Sequence, residues 1–508
     1  MNASSSDHAQ SAKDNHFDVA IIGCGPVGAA LANLLERQSR RVLVLDQFER
    51  PYTLPRATHL DGEAVRILQS AGIVDVIAPC LGVYPRMRFE DADGKLLIDW
   101  PRSIEAGAQG WRDSNRFHQP DLEIALRERA AASPLITLRF GWAATKITQD
   151  DSAAAIDATG PDGVTARFSA NFVVGCDGAR STVRQAIGAE LDILAPPEQW
   201  LVADLILHSG APALPEGTVQ YCDPARPFTY IEGVGRRRRW EVMLLPGDDP
   251  ASFAEPENVA ALLSRWLAPE DADLERAVVY TFNSAVATHW RKGRVLVAGD
   301  AAHLTPPFLG QGLCAGLRDA ANLAWKLAWA LDGRAAPSLL DSFRTELAPH
   351  VAQYIGEANR IGSIIQETDP ERARARDAML LAKPQVLTPI RPQLGGSGDQ
   401  GGHLLAGTLA PQPRLRDGRL LDDAVGLRFV VLARAGLLDQ VNDQTRASWD
   451  RADVALLEGE ASDYLDAIGA QAVVIRPDHY ILGAARSLAE LEAVTRSIPL
   501  VAAEVAVV

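Results

Sequence analysis

The chain has 508 residues, of which 47% are hydrophobic and 23% are charged, a composition typical of a soluble globular protein with two or three domains. The formal net charge of -15 argues against a nucleic-acid-binding protein, because a large surface that neutralises phosphates would need many more basic side chains. The five cysteines form neither a C-x-x-C pair nor a metal-binding spacing, so we expect no metal site and a reducing, cytoplasmic location. No apolar run is long enough for a bilayer, and residues 1–16 predict a disordered tail rather than a signal peptide.

The first elements along the chain predict a βαβ unit. Phe17 to Ile22 is expected to be a buried strand, followed by a glycine-rich turn and an Ala/Leu helix that ends at about Arg37. A second apolar strand begins at Arg41 and ends at Asp46. Two strands joined through a helix in this way indicate an α/β domain.

The middle of the chain has a different pattern. Short β-type runs separated by Pro, Gly and Asp turns indicate an antiparallel sheet inserted in the α/β domain. The predicted strands of this insertion are Trp200–Leu207, Phe228–Glu232, Trp240–Leu245 and Val278–Phe282. The chain is expected to return to the first domain at Arg294, and two long helices are predicted over Leu317–Ala330 and Ser338–Ile361.

The last quarter of the chain predicts a further unit. A tract rich in Pro, Gly and Ser at residues 384–404 indicates a linker or a mobile loop. A strand, one or more helical segments, a hairpin and a closing helix are then expected at Leu427–Leu432, Leu456–Ile468, Ala472–Ile475 with Tyr480–Leu482, and Ser487–Ile498. This region has no cysteine, so it cannot perform thiol–disulfide chemistry.

The first motif with chemical content is Gly23-x-Gly25-x-x-Gly28, with Asp46 at the end of the next strand. The first glycine permits a tight turn, the second lets a pyrophosphate approach, and the third lets the helix pack on the strand. The helix N-terminus then faces the phosphates, and the acid suits a pair of ribose hydroxyls. The alternative is a glycine-rich turn in an ordinary α/β domain, and the motif does not separate FAD from NAD.

Two further predicted strands end in acidic turns. The strand at Val173 leads into Asp177-Gly178, at the edge where open α/β sheets bind ligands; the alternative is an ordinary Asp-Gly turn. The strand at Val295 leads into Gly299-Asp300, then a proline-bearing loop, Gly310-Gln311-Gly312 and a long helix. Here the carboxylate can bind a ribitol or ribose, and the glycines let N–H groups approach a ring or a phosphate. The alternative is a buried strand, a loop and a core helix.

In this order the three motifs resemble those of the single-component class A flavoprotein aromatic hydroxylases, over roughly residues 17–365. Within that class the chain is most similar to the 3-(3-hydroxyphenyl)propionate hydroxylase group, whereas phenol hydroxylases and polyketide-aromatic hydroxylases are more distant. The closer similarity is carried by Pro55-Arg56-Ala57, Asp61-Gly62-Glu63-Ala64, Cys222-Asp223-Pro224-Ala225-Arg226-Pro227, Gly310-Gln311-Gly312 and Arg318-Asp319-Ala320-Ala321-Asn322-Leu323-Ala324-Trp325-Lys326-Leu327.

The resemblance implies a fold. It implies an α/β protein whose Rossmann-like FAD-binding domain is formed by residues 17–194 and 287–383. Residues 195–286 would form an inserted antiparallel-sheet domain that binds the substrate, as in para-hydroxybenzoate hydroxylase. A linker at 384–404 and a thioredoxin-like domain at 405–508, with a structural or oligomeric role, would follow.

The resemblance also implies a reaction. FAD would be tightly bound, NADH or NADPH would bind transiently without a domain of its own, and dioxygen would be the co-substrate. A phenolic aromatic, such as a 3-hydroxyphenyl acid, would be hydroxylated through a peroxyflavin. The alternatives are a tailoring hydroxylase of a larger polycyclic or polyketide aromatic and a non-hydroxylating flavin oxidoreductase. The expected partners are a small aromatic substrate and a second copy in a homodimer, with no nucleic acid and no membrane.

The residues expected to bind FAD come from all three motifs and two loops. The turn at Gly23 and the side chain of Arg56 would contact the pyrophosphate, and Asp300 the ribitol. The loop from Pro306 to Gly312 would pass the isoalloxazine ring, with helix N–H groups that stabilise negative charge on the reduced flavin. The full set is Gly23, Gly25, Pro26, Val27, Gly28, Asp46, Gln47, Arg56, Gln119, Asp177, Gly299, Asp300, Pro306, Gln311, Gly312 and Leu313.

Two side chains are candidates for the base that accepts the phenol proton, His59 and Asp61. Both lie in the loop after Arg56, and the resemblance implies an acid at the Asp61 position. Asp61 could instead cap the helix that runs to Ser70, and His59 could be a hydrogen-bonded loop histidine. His303 is expected to be structural or adjacent to the flavin rather than a base.

Substrate contacts are expected from the inserted sheet. Arg226 could pair with a substrate carboxylate or hold its own loop to Asp223, and the run Arg236 to Arg239 is expected at a solvated hairpin tip. The candidate substrate-binding residues are Tyr221, Arg226, Tyr230, Arg239, Trp240 and Met243.

Overall fold

The computed structural model describes residues 15–383, 387, 389–396 and 403–501 of the chain. The strands are β1 His16–Ile22, β2 Val42–Asp46, β3 His59–Asp61, β4 Gly82–Val83, β5 Arg86–Glu90, β6 Leu96–Pro101, β7 Ser114–Arg116, β8 Ile136–Phe140, β9 Ala143–Gln149, β10 Ala154–Thr159, β11 Thr165–Gly175, β12 Leu191–Leu207, β13 Thr218–Tyr221, β14 Phe228–Glu232, β15 Arg237–Met243, β16 Ala272–Ala287, β17 Arg291–Lys292, β18 Val295–Val297, β19 His303–Leu304, β20 Val430–Ala433, β21 Ala455–Glu458, β22 Ala472–Ile475 and β23 Ile481–Ala485.

The α-helices are α1 Pro26–Glu36, α2 Gly62–Ser70, α3 Val74–Ile77, α4 Gln119–Ala131, α5 Thr182–Ile187, α6 Pro250–Phe253, α7 Pro256–Leu263, α8 Gly312–Leu331, α9 Ser342–Ile365, α10 Pro370–Ala382, α11 Leu421–Val425, α12 Asp443–Ala452, α13 Ser462–Ala467 and α14 Leu488–Arg496. Among the described residues, none of these helices combines the length and the apolar character needed to cross a bilayer.

The first sheet has the predicted α/β character. Its order is β17-β18-β11-β1-β2-β8, with β18, β11, β1, β2 and β8 all parallel and with β10 and β9 added beside β11. Strands β1 and β2 are buried almost throughout, which is why they read as apolar runs. Helix α8 packs on α1, so the helix that follows the third motif lies against the helix that follows the first.

The second sheet contains the predicted antiparallel strands of the middle of the chain, but it extends beyond the expected insertion. Its order is β19-β16-β12-β15-β14-β13-β5-β6, and β13 runs parallel to β5 while the other pairs are antiparallel. Strands β5 and β6 come from residues 86–101, well before the expected insertion. Because this pairing is non-local, the β-type patterns around residue 200 carry no trace of it.

The third sheet lies near the end of the chain, in the order β21-β20-β22-β23. Strand β20 pairs parallel to β21 and antiparallel to β22, and β22 and β23 form the predicted hairpin. The prediction of helical segments over Leu456–Ile468 is wrong at its start, because residues Ala455–Glu458 form β21 and only Ser462–Ala467 are α-helical. The three apolar residues from Ala455 to Leu457 fit a helix and a strand equally well, because so short an apolar run shows no period.

The predicted tail and the predicted linker extend beyond the described residues. Residues 1–14 lie outside the described residues, and His16 already belongs to β1, so the predicted tail boundary at residue 16 is too late. Within 384–404, residues 384–386, 388 and 397–402 also lie outside the described residues. The described part of this stretch follows α9: Gly395 N–H donates to Glu346 O at 2.7 Å, and Tyr354 Oη donates to Ile390 O at 2.8 Å.

The end of the chain is attached to the first sheet's helices by apolar and ionic contacts. Trp325 and Trp329 of α8 pack on Phe429, with ring centroids 5.5 and 5.0 Å apart. Arg66 of α2 is fully buried and bonds both oxygens of Asp422, at 2.6 and 2.8 Å. Since a buried ion pair is strongly destabilised when one partner is removed, this attachment resists separation.

A second buried ionic group lies beneath α8 and α9. Arg476 donates to both oxygens of Glu346, at 3.0 and 2.8 Å, and Lys326 Nζ donates to the same carboxylate at 2.7 Å. Asp478 accepts from Asn322 at 2.9 Å and from Trp325 at 3.0 Å. The pKa of Lys326 is lowered to about 8, because burial outweighs the neighbouring Glu346 carboxylate.

Acid should weaken this attachment through buried His479. Its Nε2 lies 3.1 Å from Ser70 Oγ and 3.3 Å from Asp422 Oδ2, and burial, with Arg66 nearby, lowers its pKa to about 4. Between pH 6.5 and 4 the unfolded chain takes up a proton here that the folded protein does not, so stability falls as the pH falls through this window. We expect this residue to account for about 2 kcal/mol of stability lost by pH 5.

Thermal unfolding at pH 7.5, 6 and 5 measures this effect. His479→Gln should flatten the pH dependence relative to the wild type, whereas His208→Gln, at an exposed histidine 3.0 Å from Asp273, should not flatten it. An unchanged slope in His479→Gln would show that other groups, such as buried His59 and His350, carry the acid sensitivity.

Candidate functional site

The three predicted motifs meet at one edge of the first sheet. Parallel pairing aligns Ile22 of β1 with Gly175 of β11, and Gly175 with Val297 of β18. The three strands therefore end in one row, and the turns that follow them lie side by side. This is the carboxyl edge, where open α/β sheets bind their ligands.

The turn after β1 needs its glycines for two different reasons. Gly23 has φ +100°, and a Cβ there would lie 2.4 Å from Cys176 O, while a Cβ on Gly28 would lie 2.1 Å from Gly23 O. Gly25 is different, because a Cβ there would meet no atom within 4 Å. Gly25 is also the N-cap of α1 and provides no side-chain cap, so the open space lies at free helix N–H groups.

The neighbouring predicted residues shape this turn. Asp46 accepts from Cys24 N–H at 2.7 Å and from Phe48 N–H at 2.8 Å, so the carboxylate first of all fixes the backbone around it. Gln47 beside it is exposed. Pro26 opens α1, and the side chain of Val27 fills the space above Gly299, 3.2 Å from the position of a Cβ there.

Asp177 in the second turn caps a helix. Its oxygens accept from Ser181 Oγ at 2.5 Å, from Thr182 N–H at 2.7 Å and from Val183 N–H at 3.1 Å. The pKa of this carboxyl is nevertheless raised, because burial outweighs these hydrogen bonds. These contacts correspond to a structural turn at the carboxyl edge, beside the first motif.

The third turn leaves one carboxylate uncommitted. Gly299 (φ +61°) donates its N–H to Asp319 Oδ2 at 2.7 Å, and His303 Nε2 lies 2.7 Å from the same oxygen. Burial alone would lower the pKa of His303, but the Asp319 carboxylate raises it, which supports the expected structural role. The side chain of Asp300 is exposed and has no hydrogen-bond partner among the described residues, and desolvation by the surrounding protein raises the pKa of its carboxyl.

The loop from Pro306 to Gly312 ends at a second free helix N-terminus. Pro306 is buried, a 3-10 turn follows, and Gly310 takes φ +64°. Gln311 is the N-cap of α8, but its side chain accepts from Arg318 at 3.4 Å instead of capping the helix. The N–H groups of Gly312 and Leu313 therefore start α8 without a side-chain cap.

Gln119 holds the loop that carries Arg56. Its Oε1 accepts from Arg56 N–H at 3.1 Å and from Ala57 N–H at 2.7 Å, while its Nε2 donates to Glu123 at 2.7 Å. The Arg56 side chain is exposed and stacks over Tyr52, 4.8 Å from the ring centroid, with no acidic partner among the described residues. Its charge is thus available to an anion.

Asp61 makes the helix cap that was its alternative role. Its Oδ1 accepts from Ala64 N–H at 2.8 Å at the start of α2, and its Oδ2 pairs with buried Arg318, which also donates to Glu63 at 2.6 Å. Although burial alone would raise the pKa of Asp61, the Arg318 guanidinium holds it below its usual range. Both oxygens are engaged, and the carboxylate is a weak base.

His59 is also engaged at both ring nitrogens. Its Nε2 lies 2.9 Å from Ser114 Oγ, and its Nδ1 lies 3.3 Å from Gly310 O. Burial, assisted by Arg102, lowers its pKa to about 4, so the ring is neutral at pH 7. The contact with Gly310 ties the loop before α2 to the loop before α8.

The predicted substrate residues divide between two faces of the second sheet. Tyr221, Tyr230 and Trp240 lie on the outer face, which helices α6 and α7 and Trp266 cover. Successive residues of a strand point to opposite sides, so Glu241 and Met243 lie on the other side, here called the inner face. The sequence-based prediction took residues from both faces and is not supported for the three outer aromatics.

The two predicted substrate arginines have internal partners. Arg226 donates to both oxygens of Asp248, at 2.6 and 3.2 Å, so it holds its own loop, though not through Asp223. Arg239 is buried, donates to Asp204 at 2.7 Å and to Arg56 O at 2.7 Å, and is not at a solvated tip. Arg239 therefore positions the Arg56 loop.

Sequence reasoning missed the residues that line the inner face. Trp200 and Phe282 pack on Phe308 of the Pro306–Gly312 loop, with ring centroids 5.6 and 6.4 Å away. Tyr84 packs on His59 at 5.4 Å. An alternation of apolar residues marks these strands, but only the packing of α6 and α7 reveals which set faces the loop.

Glu241 is an inner-face acid whose carboxylate is only weakly engaged. The residue is 5% exposed, no described residue donates a hydrogen bond to its carboxylate, and Arg239 Nη1 lies 3.8 Å from that carboxylate. Burial raises the pKa of its carboxyl. A buried, poorly solvated carboxylate is suited to accept a proton from a bound ligand.

These features match a known family. Residues 16–358 match the model of the FAD-binding domain family, so the chain belongs to it and its cofactor is FAD. The relatives and solved structures similar to the chain include aromatic hydroxylases, and they confirm the predicted resemblance to FAD-dependent aromatic monooxygenases. The protein is an oxidoreductase of this class.

Two relatives align over nearly the whole chain. The chain is 34% identical over 513 residues to a probable NADH-specific resorcinol 4-hydroxylase of Rhodococcus jostii (strain RHA1), covering 95% of this chain and 94% of that one. It is 31% identical over 514 residues to 3-(3-hydroxy-phenyl)propionate/3-hydroxycinnamic acid hydroxylase 2 of Burkholderia vietnamiensis (strain G4 / LMG 22486), covering 92% and 93%.

Solved structures share the fold. The OxyS anhydrotetracycline hydroxylase from Streptomyces rimosus has a TM-score of 0.73 and 28% identity, covering 92% of this chain and 96% of that one. Aklavinone-11 hydroxylase, solved with FAD and aklavinone, has a TM-score of 0.79 and 23% identity, covering 95% and 99%. The second likeness is one of fold alone.

The residues present fit FAD. Open space beside Gly25 and the uncapped start of α1 suit the pyrophosphate, and Arg56 adds a free positive charge. Asp300 offers an uncommitted carboxylate to ribitol hydroxyls, and the uncapped start of α8 offers N–H groups to the ring. No group of three or more His, Cys, Asp or Glu in the described part of the chain could hold a metal ion.

Two glycine variants test the pyrophosphate position. Gly25→Ala should leave the apoprotein as stable as the wild type, because the added Cβ meets no protein atom within 4 Å, but should weaken FAD binding at least about tenfold. Gly28→Ala should lose stability and FAD together, because its Cβ would overlap Gly23 O. Flavin titration and thermal unfolding of the apoprotein measure both effects; wild-type FAD affinity in Gly25→Ala would contradict the placement.

Proposed function

We propose that this protein hydroxylates a phenolic aromatic acid of the 3-hydroxyphenyl type, using FAD, NADH or NADPH, and dioxygen. One observation supports the proposal above all. The Pro306–Gly312 loop lies between the carboxyl edge of the first sheet, which suits FAD, and the aromatic inner face of the second sheet. When bound, FAD supplies the redox chemistry, taking a hydride from NAD(P)H and activating dioxygen. The protein would position the flavin and the substrate and provide the electrostatic environment for the reaction.

The FAD contacts follow the chain's own geometry. The backbone from Gly23 to Gly28 would hold the pyrophosphate with Arg56, and Asp46 would meet the adenosine ribose. Asp300 would bind the ribitol. The start of α8 at Gly312 would stabilise negative charge on the flavin ring, because a helix N-terminus carries a partial positive charge. Asp177, Gln119 and Gln47 would support these contacts rather than make most of them.

The remaining parts of the chain are proposed to serve this site. The second sheet would act as the substrate domain, with the inner face, including Met243, against the ring. The mixed sheet of β20 to β23 with its helices supports a thioredoxin-like unit after about residue 405, whose role would be structural or oligomeric. A homodimer and a cytoplasmic location stay predictions.

The substrate and coenzyme are supported by the relatives. A resorcinol 4-hydroxylase and a 3-(3-hydroxy-phenyl)propionate/3-hydroxycinnamic acid hydroxylase each act on a small phenol by name, and the former is described as NADH-specific. The structural neighbour named for anhydrotetracycline supports the alternative of a larger polycyclic substrate. A flavin oxidoreductase that does not hydroxylate is the remaining alternative.

A turnover assay separates these possibilities. We expect the purified protein to be yellow and to consume NADH and oxygen faster when 3-(3-hydroxyphenyl)propionate or resorcinol is present, with one hydroxylated product per NADH. The panel should also contain a polycyclic phenol and NADPH. Stimulation by the polycyclic phenol alone would favour the tailoring alternative, and stimulation by no phenol would refute hydroxylation.

The phenol proton needs an acceptor, and three side chains compete for this role. Asp61 and His59 were predicted from the sequence, but each is hydrogen-bonded to protein groups and has a lowered pKa. The carboxyl of Glu241 has a raised pKa, and its oxygens accept no hydrogen bond from a described residue. We therefore propose Glu241 as the base, with Asp61 and His59 positioning the two loops at the ring.

Conservative variants distinguish the candidates. Glu241→Gln should lower kcat by about 100-fold and remove the acid limb of the pH profile, since activity fades as the pH falls through the raised pKa of this carboxyl. Asp61→Asn keeps a capping side chain for α2 and should mainly lower stability, by weakening the Arg318 pair. Steady-state kinetics from pH 5 to 9 measure both, with flavin content as the control. Loss of the acid limb in Asp61→Asn alone would assign the base to Asp61.

A further inference from the structure

Arg102 is a half-buried cation at the end of the β5–β6 hairpin. Its backbone N–H donates to Pro85 O at 2.8 Å, which fixes the residue where the hairpin closes. The guanidinium carbon lies over the indole of Trp100, 3.5 Å from a ring centroid, and 5.9 Å from the centroid of Tyr84. Two aromatic rings therefore hold the side chain in place.

The charge of Arg102 has no protein partner among the described residues. Its guanidinium makes no hydrogen bond or ion pair there, its Nε is buried, and Asp113 acts on it only at longer range. The fully buried Arg66 and Arg318 differ in this respect, because Arg66 lies 2.6 Å from Asp422 and Arg318 lies 2.6 Å from Glu63. A desolvated cation without an anion is unfavourable, so the position suits a charge supplied by a ligand.

Arg102 is connected to the candidate active site by direct contacts. The ring of Tyr84 packs on His59 at 5.4 Å, and His59 Nδ1 lies 3.3 Å from Gly310 O, in the loop that starts α8. The hydroxyl of Tyr84 donates to Thr218 at 2.7 Å, so this ring is a fixed wall and not a second free donor. The guanidinium is thus joined to the Gly310 loop through the rings of Tyr84 and His59, and it is close enough to His59 to help lower the pKa of that ring.

We propose that Arg102 binds the carboxylate of a phenolic acid, and that this pairing selects substrates with an anionic side chain over neutral phenols. The inference rests on the proposed function, because it names the substrate class of the same site. A guanidinium can donate parallel hydrogen bonds to both oxygens of a carboxylate. Arg226, which was the sequence-based candidate, is already paired in this way with Asp248.

The substrates named for the two relatives differ in the group that Arg102 would bind. Resorcinol has no carboxylate, whereas 3-(3-hydroxy-phenyl)propionate has one at the end of a short chain. An unpaired cation beside the ring site gains nothing from resorcinol and loses hydration when resorcinol binds. Arg102 therefore places the substrate of this protein with the phenolic acids.

The test uses the FAD-loaded enzyme with three phenols: 3-(3-hydroxyphenyl)propionate, 3-ethylphenol as its neutral analogue, and resorcinol. The wild type should have its highest kcat/KM with the acid. Arg102→Met, which keeps an apolar stem on Trp100, should raise KM for the acid by about 10- to 100-fold and leave kcat/KM for 3-ethylphenol unchanged. Arg102→Lys should recover part of the loss.

Arg88→Met is the matched control on the same hairpin. Arg88 lies on β5, 3.7 Å from Glu90, and its loss should not change the preference for the acid. Flavin content and thermal unfolding of each variant show whether it is folded. If Arg102→Met is not folded, Arg102→Lys must by itself reduce the preference for the acid.

Several outcomes would overturn the inference. Equal losses with the acid and with 3-ethylphenol would assign Arg102 a purely structural role, and a wild type that prefers resorcinol would refute carboxylate selection while the hydroxylase function stands. If no phenol is turned over, the proposed function fails, and binding of 3-phenylpropionate, followed by the flavin spectrum, decides instead. Binding weakened at least tenfold in Arg102→Met would still support the carboxylate site, and unchanged or absent binding would refute it.

Discussion

Parallel register is the constraint on which the rest of the structure depends. Because Ile22, Gly175 and Val297 stand in one row, three turns from distant parts of the chain share one edge of the sheet. The shared edge also brings the elements that follow these turns into contact. Val27 fills the space over Gly299, and α8 packs on α1. A shift of one residue between any two of these strands would separate the glycine turn after β1 from the turns that carry Asp177 and Asp300. No continuous binding edge would then remain.

Buried charge couples this edge to the rest of the molecule. Arg318 of α8 bonds Asp61 and Glu63, and Glu63 in turn accepts from Tyr480 Oη at 2.8 Å. One cation thus joins the helix at the proposed flavin ring, the cap of α2 and the last sheet. Such pairs add little net stability when compared with apolar packing, but each partner is expensive to strand, so they specify one arrangement.

Local signatures were predictable from the sequence, and non-local ones were not. Three motifs are recognisable from contiguous sequence, because strand, turn and helix follow one another along the chain. They are Gly23 to Gly28, the turn at Asp177 and the turn at Asp300. The face presented by Trp240 depends on α6 and α7, which cover one side of a strand whose two sides are both buried. The role of Asp61 depends on Arg318, 257 residues away. Likewise, β5 joins the second sheet through a partner that no spacing rule predicts.

The ionic attachment of the last sheet bears on how this enzyme could be recombined with its relatives. The pairs Arg66–Asp422 and Arg476–Glu346 each draw one member from either side of residue 405. A chimaera joined at residue 405 would combine one member of each ion pair from this protein with the corresponding residue of a relative. Any charge left without its partner would then be buried. The part of the protein that must be exchanged as one unit is therefore the last sheet together with α2, α8 and α9. A chimaera of this enzyme and a relative should fold only when those helices come from the same parent as the last sheet.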